Sequence, residues 1–104
     1  MTVHDAELAR RFSGLGRTGK AEFLSRVAHG QTIRARESYA EQYDDAAALA
    51  VSNELVHRLV GYIVQVLTRD TEADQDASVI QMIIEFANYD PGRYSLWLDE
   101  AARS

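Results

Sequence analysis

At 104 residues the chain has room for one domain with a real core and not for two. It contains no cysteine, which excludes a disulfide framework and a thiolate metal site. A hydrophobic share of 46% with 26% charged residues is that of a globular chain, and the net charge of −5 speaks against general nucleic-acid affinity.

No apolar run approaches the ~20 residues that a membrane helix needs, and the first residues do not resemble a signal peptide. The expectation is a cytoplasmic protein without a membrane contact. The charge is unevenly placed, with +4 over residues 1–36 and −9 over residues 37–104. That asymmetry suits an acidic partner, a second copy, or pairing within one folded domain.

Residues 4–13 predict a short helix with Leu8 and Phe12 as its apolar pair at i, i+4. Residues 14–20, GLGRTGK, are a glycine-rich break and the expected hinge. A long helix should then run from Thr18 or Lys20 to Gln42, with Phe23, Leu24, Val27 and Ala28 on its inner face. Extending that face gives Gln31, Arg34, Ala35, Ser38 and Gln42, so the stripe turns polar.

Asp44 and Asp45 offer an N-cap for a central helix, because a carboxylate accepts from the free N–H groups of a first turn. In that helix Leu49, Leu55, Val56, Leu59, Val60, Tyr62, Ile63, Val66 and Leu67 sweep roughly 200° of the helical wheel. A surface helix needs an apolar stripe of about 100°, so cover on two sides is expected. Residues 69–76 read as an acidic, solvated loop.

A fourth helix is expected over residues 77–88, with Val79, Ile80, Met82, Ile83, Ile84, Phe86 and Ala87 on another wide arc. Asp90 and Pro91 then start a last helix, as N-cap and first helical residue, with Tyr94, Trp97, Leu98 and Ala101 facing inward. Period-two alternation of β-branched residues is nowhere sustained. The expected fold is all-α: one domain over residues 1–104, an antiparallel bundle of four main helices plus a short N-terminal helix.

Three motifs invite a chemical reading. Residues 14–20 match the glycine pattern of dinucleotide sites and nearly match a phosphate loop ending at Lys20, with Ala21 where the magnesium-binding hydroxyl belongs. Both patterns need a preceding buried strand, and a charged helix stands there instead. Arg17 and Lys20 beside a helix start could still attract an anion.

Glu54 and His57 have the Glu-x-x-His spacing of di-iron bundles, which require a second such pair; Glu54 is better placed to pair with Arg58 at i+4. Counted from Asp74, the acids Asp76 and Glu85 fall on calcium-loop positions, but Val79 replaces the glycine of the sharp turn. No Ser, His and acid lie at a spacing that nominates a catalytic triad, and no cofactor is implied.

The remaining candidate arises from pairing the two long helices. A short turn between them makes an antiparallel hairpin in which facing residue numbers sum to about 88. Gln31, Arg34 and Ser38 would then share a seam with Asn53 and His57. Buried polar groups need hydrogen bonds, so the five form either a register-fixing network, a partner surface, or a ligand site in which the Arg34 fork and the His57 imidazole recognise a small anion. Tyr39 and Tyr43 could rim it.

The segment Asn53-Glu54-Leu55-Val56-His57-Arg58, preceded by a helix bearing arginines and tyrosines, resembles small uncharacterised all-helical proteins of proteobacterial type over roughly residues 20–70. The resemblance implies a bacterial source and no activity. The functional expectation is a non-enzymatic helical interaction protein that self-associates as a homodimer. The alternatives are a regulatory bundle binding a small molecule or anion through the polar cluster, and a metal-dependent enzyme that would depend on Glu54 and His57.

Overall fold

The computed structural model describes the backbone of residues 3–40, 45–87 and 91–103, and the side chains of that set apart from residues 3, 4, 30–40, 45, 48, 49, 51 and 52. Among the described residues there are five helices: α1 (Val3–Ser13), α2 (Arg17–Ala40), α3 (Asp45–Thr68), α4 (Ala73–Phe86) and α5 (Pro91–Ala101). No strand occurs among the described residues. The longest pairing is that of α2 with α3; α1 packs on α4, α5 lies against α2, and α3 meets α4 only lightly.

Each helix buries the stripe that its spacing marks. Leu8 and Phe12 are buried in α1, Phe23, Leu24 and Val27 in α2, Leu55, Leu59 and Val66 in α3, Ile80 and Ile83 in α4, and Tyr94, Leu98 and Ala101 in α5. Fully burying a side chain of this size is worth about 1.5–3 kcal/mol. An aromatic chain ties the first two helices to the last: the Phe12 and Phe23 ring centroids are 5.6 Å apart, Phe23 meets Tyr94 edge-on at 5.9 Å, and Tyr94 stacks on Trp97 at 5.6 Å.

The charge asymmetry is met largely within the fold. Basic residues of α1 and α2 pair with acids from later in the chain: Arg11 with Asp99 at 2.6 Å, Arg17 with Asp70 at 3.0 Å, Lys20 with Asp76 at 2.9 Å, and Arg26 with Glu100. The exposed pairs among these contribute little singly. Each of the four joins an N-terminal helix to a later segment of the chain.

Three expectations need correction. The break between α1 and α2 is shorter than the glycine spacing suggested, because α2 begins at Arg17 and Gly19 is a buried helical residue. A Cβ at Gly19 would lie 2.9 Å from the Ala101 carbonyl oxygen, so that glycine serves the close approach of α2 to α5.

The acidic stretch before α4 is also shorter than expected. α4 starts at Ala73, where the Glu72 N–H donates to Gln75 Oε1 at 3.1 Å, and the acids Asp74 and Asp76 in its first turn suit the helix dipole.

Finally, α3 has α2 and α4 as neighbours, but they cover its wide apolar arc only in part. Val60 and Leu67 from its wide arc are exposed, as is Val64. The predicted caps Asp44 and Asp90 lie outside the described residues. No described helix is long and apolar enough to cross a membrane.

Candidate functional site

The polar centre of the molecule is Asp76, whose side chain is fully buried. Its Oδ1 accepts from the Tyr62 hydroxyl at 2.6 Å and from Thr71 Oγ1 at 2.7 Å. Its Oδ2 accepts from Ser13 Oγ at 2.9 Å and faces Lys20 Nζ at the same distance. Lys20, buried as well, also donates to Thr71 Oγ1 at 3.1 Å and lies 5.9 Å from the centroid of the Phe12 ring. The node thereby joins the end of α1, the start of α2, the middle of α3, the connection after it, and α4.

These side chains arrive there because each continues an apolar stripe. Asp76 precedes Ile80 and Ile83 by four and seven residues, Lys20 precedes Leu24 and Val27 by the same steps, and Tyr62 stands between Leu59 and Val66. Helical periodicity carries all three inward. Burial by itself would push the Asp76 carboxyl up, but hydrogen bonds from Tyr62, Thr71, Lys20 and Ser13 outweigh it and hold the group below the usual carboxylate range. Burial, and then the bond to Asp76, push the Tyr62 phenol up to about 12.

A carboxylate so fully satisfied is a poor general base, and a phenol so reluctant to ionise is a poor acid. The node is built to hold helices together. Above it opens a cavity of about 200 Å³ lined by Gly16, Arg17, Lys20, Arg69, Asp70 and Thr71, among others. Two of its three cations are answered from inside the chain, Arg17 by Asp70 and Lys20 by Asp76. The lysine of the apparent phosphate loop therefore points into the protein, and a helix rather than a strand precedes it.

A second cavity, about 390 Å³, lies between α3 and α4 and is lined by Ala50, Glu54, Leu55, Arg58, Met82 and Phe86. The expected ion pair stands at its edge, with Arg58 Nε donating to Glu54 Oε1 at 2.8 Å. The guanidinium, by hydrogen bond and by charge, lowers the Glu54 carboxyl from its ordinary value. Glu54 is thus engaged by an arginine rather than aimed with His57 at a metal, and among the described residues no three His, Asp or Glu side chains converge.

Of the five residues proposed from the hairpin, Asn53 and His57 are exposed. Gln31, Arg34 and Ser38, together with Tyr39 and Tyr43, lie outside the described side chains. Asn53 and His57 belong to a different alignment: Ala46, Ala50, Asn53, His57, Val60, Val64 and Leu67 are all exposed and follow one another at steps of four and three along α3. Sequence reasoning assigned Val60 and Leu67 of this line to the interior and did not single out Val64. No family model, curated protein or solved structure matches the chain.

Proposed function

We propose that the protein is a non-enzymatic helical interaction protein, a bundle whose task is to present the outer face of α3 to a second copy of itself. The observation that carries this reading is the exposed seam of α3. Seven positions at alternating steps of four and three have the 3.5-residue repeat with which one helix packs along another, and Val60, Val64 and Leu67 form its apolar part. These three side chains remain 49%, 57% and 52% exposed, although the same helix buries Leu55, Leu59 and Val66 on its opposite side.

The size of the face sets the strength of the association. α3 has 24 residues and is about 36 Å long. With a helix width of about 10–12 Å, the face covers on the order of 400 Å² per copy, below the ~800 Å² per partner of a standard interface. The pairing is accordingly reversible and concentration-dependent. Its polar end, Asn53 and His57, lowers affinity further while restricting register, the use to which single polar seam residues are put in coiled coils.

Light scattering across micromolar to millimolar protein tests the reading. The expected result is a mass that rises from one chain to two, and that stays at one chain for Val64→Glu while the helical circular dichroism is unchanged. A parent chain that keeps the mass of one copy at millimolar concentration overturns it.

A further inference from the structure

The seam of α3 is asymmetric along its length. Its N-terminal part carries Ala46, Ala50, Asn53 and His57, and its C-terminal part carries Val60, Val64 and Leu67. A parallel two-fold arrangement sets every seam residue against its own copy, so that Val60, Val64 and Leu67 meet like side chains and Asn53 and His57 meet at the polar end. An antiparallel arrangement centred between Val60 and Val64 sets Val60 on Val64 but forces Leu67 onto His57. Moving the centre toward Leu67 instead carries Val60 beyond the end of the helix.

The identity of the seam residues points the same way. With His57 and Val64 at one heptad position and Val60 and Leu67 at the other, the C-terminal heptad places a β-branched residue at the first and leucine at the second, the combination that selects two strands when the pairing is parallel. The flanking positions also permit it. Residues 59–68 contain no charged side chain, so no like charges oppose one another across a parallel contact there. Gly61 flanks the seam with nothing within 4 Å of a Cβ built on it, which leaves room for a neighbouring helix.

We infer that two copies of this chain associate through α3 as a parallel pair, with Val64 facing Val64, Leu67 facing Leu67 and His57 facing His57 across the two-fold axis. This inference rests on the self-association proposed above and adds the direction and register of the contact. The two α3 helices run side by side in the same direction.

The absence of cysteine makes the register directly testable. His57→Cys, Val64→Cys and Leu67→Cys are made singly, with Ser78→Cys on the exposed side of α4 as control. A disulfide forms where Cα atoms lie about 4.4–6.8 Å apart, which in a parallel pair holds for each seam position and its own copy. Under mild oxidation, at the concentration where the parent chain has the mass of two copies, the three seam variants should give disulfide-linked dimers and Ser78→Cys should not.

A parent chain of two-copy mass whose seam variants fail to self-link, while a mixture of His57→Cys and Leu67→Cys links between the two proteins, overturns the parallel register and leaves self-association standing. A parent chain that stays at the mass of one copy overturns both. Because three substitutions are read independently, weakened association in one of them leaves the other two to decide.

Discussion

Lys20 Nζ stands 2.9 Å from Asp76 Oδ2 with both side chains buried, the lysine 8% exposed and the aspartate not at all. Among the described residues, the pair is the one place where two opposite charges are both committed to the interior. Their attraction is offset by the cost of removing both from water, so the pair's net worth is small, whereas an unpaired survivor is expensive.

Asp76→Ala leaves the Lys20 ammonium buried beside Phe12 and should lower stability by about 3–5 kcal/mol. Lys20→Met leaves the carboxylate with three hydroxyl donors, and a smaller loss of about 1–3 kcal/mol is expected. Removing both charges with Lys20→Met and Asp76→Leu should recover much of the Asp76→Ala loss, because the two sites are in contact and do not add. Urea unfolding at neutral pH measures all three. An Asp76→Ala variant within experimental error of the parent would show that the node is not structural.

The same node predicts loss of stability at both ends of the pH range. The Asp76 carboxyl is held below its unfolded value in the folded protein. In acid the unfolded chain therefore binds this proton first, and the contribution present above about pH 4 disappears as pH falls through the lower folded value. The Tyr62 phenol is raised from 10.0 to about 12. Its contribution is complete below pH 10.0 and is lost as pH rises to about 12, because the unfolded phenol ionises first. Tyr62→Phe should lie below the parent at neutral pH, and the gap should close over that alkaline interval. Parallel urea titrations of parent and variant decide it; a constant gap refutes the assignment.

The all-helical class and the inward faces of most helices were legible because helical stripes state their own phase. Leu8 with Phe12, the inner face of α2 from Phe23 to Val27, and Tyr94 with Leu98 and Ala101 all bury as their spacing required. The Glu54 and Arg58 pair followed from the i+4 rule alone. The start of α4 was misplaced because the acids of residues 70–76 suggested solvent, whereas helix N-termini favour carboxylates. The wide apolar arc of α3 was legible, and in so short a chain it was the reason to expect a second copy, but periodicity could not say which of its residues the chain itself covers and which stay exposed.

The node itself escaped for a related reason. Charged residues were assigned outward by type, but Asp76 and Lys20 each occupy the inward phase of their own helix. The sequence signal that would have found them is the backward extension of the Ile80 and Ile83 stripe and of the Leu24 and Val27 stripe. Which acid a buried lysine meets is set by how α2 and α4 cross, and that depends on contacts spread over the whole chain.

Two helical glycines should respond in opposite directions to the same substitution. Gly19→Ala gains up to about 1 kcal/mol of helix propensity, but its Cβ would meet the Ala101 carbonyl oxygen at 2.9 Å and Leu15 Cβ at 3.3 Å. The first of these is backbone and cannot swing away, so α5 must shift from α2, disturbing the aromatic contact of Phe23 with Tyr94. A net loss of about 1–2 kcal/mol is expected, as for other overpacked sites. Gly61→Ala meets nothing within 4 Å and should raise stability by about 0.5–1 kcal/mol through propensity and a less flexible unfolded chain. For a domain of this size each kcal/mol moves the midpoint by about 4–8 °C. Thermal melts in dilute protein, where contact between copies does not enter, should therefore shift down for Gly19→Ala and up for Gly61→Ala; a rise for Gly19→Ala would mean that the α2 to α5 approach is looser than the structure shows.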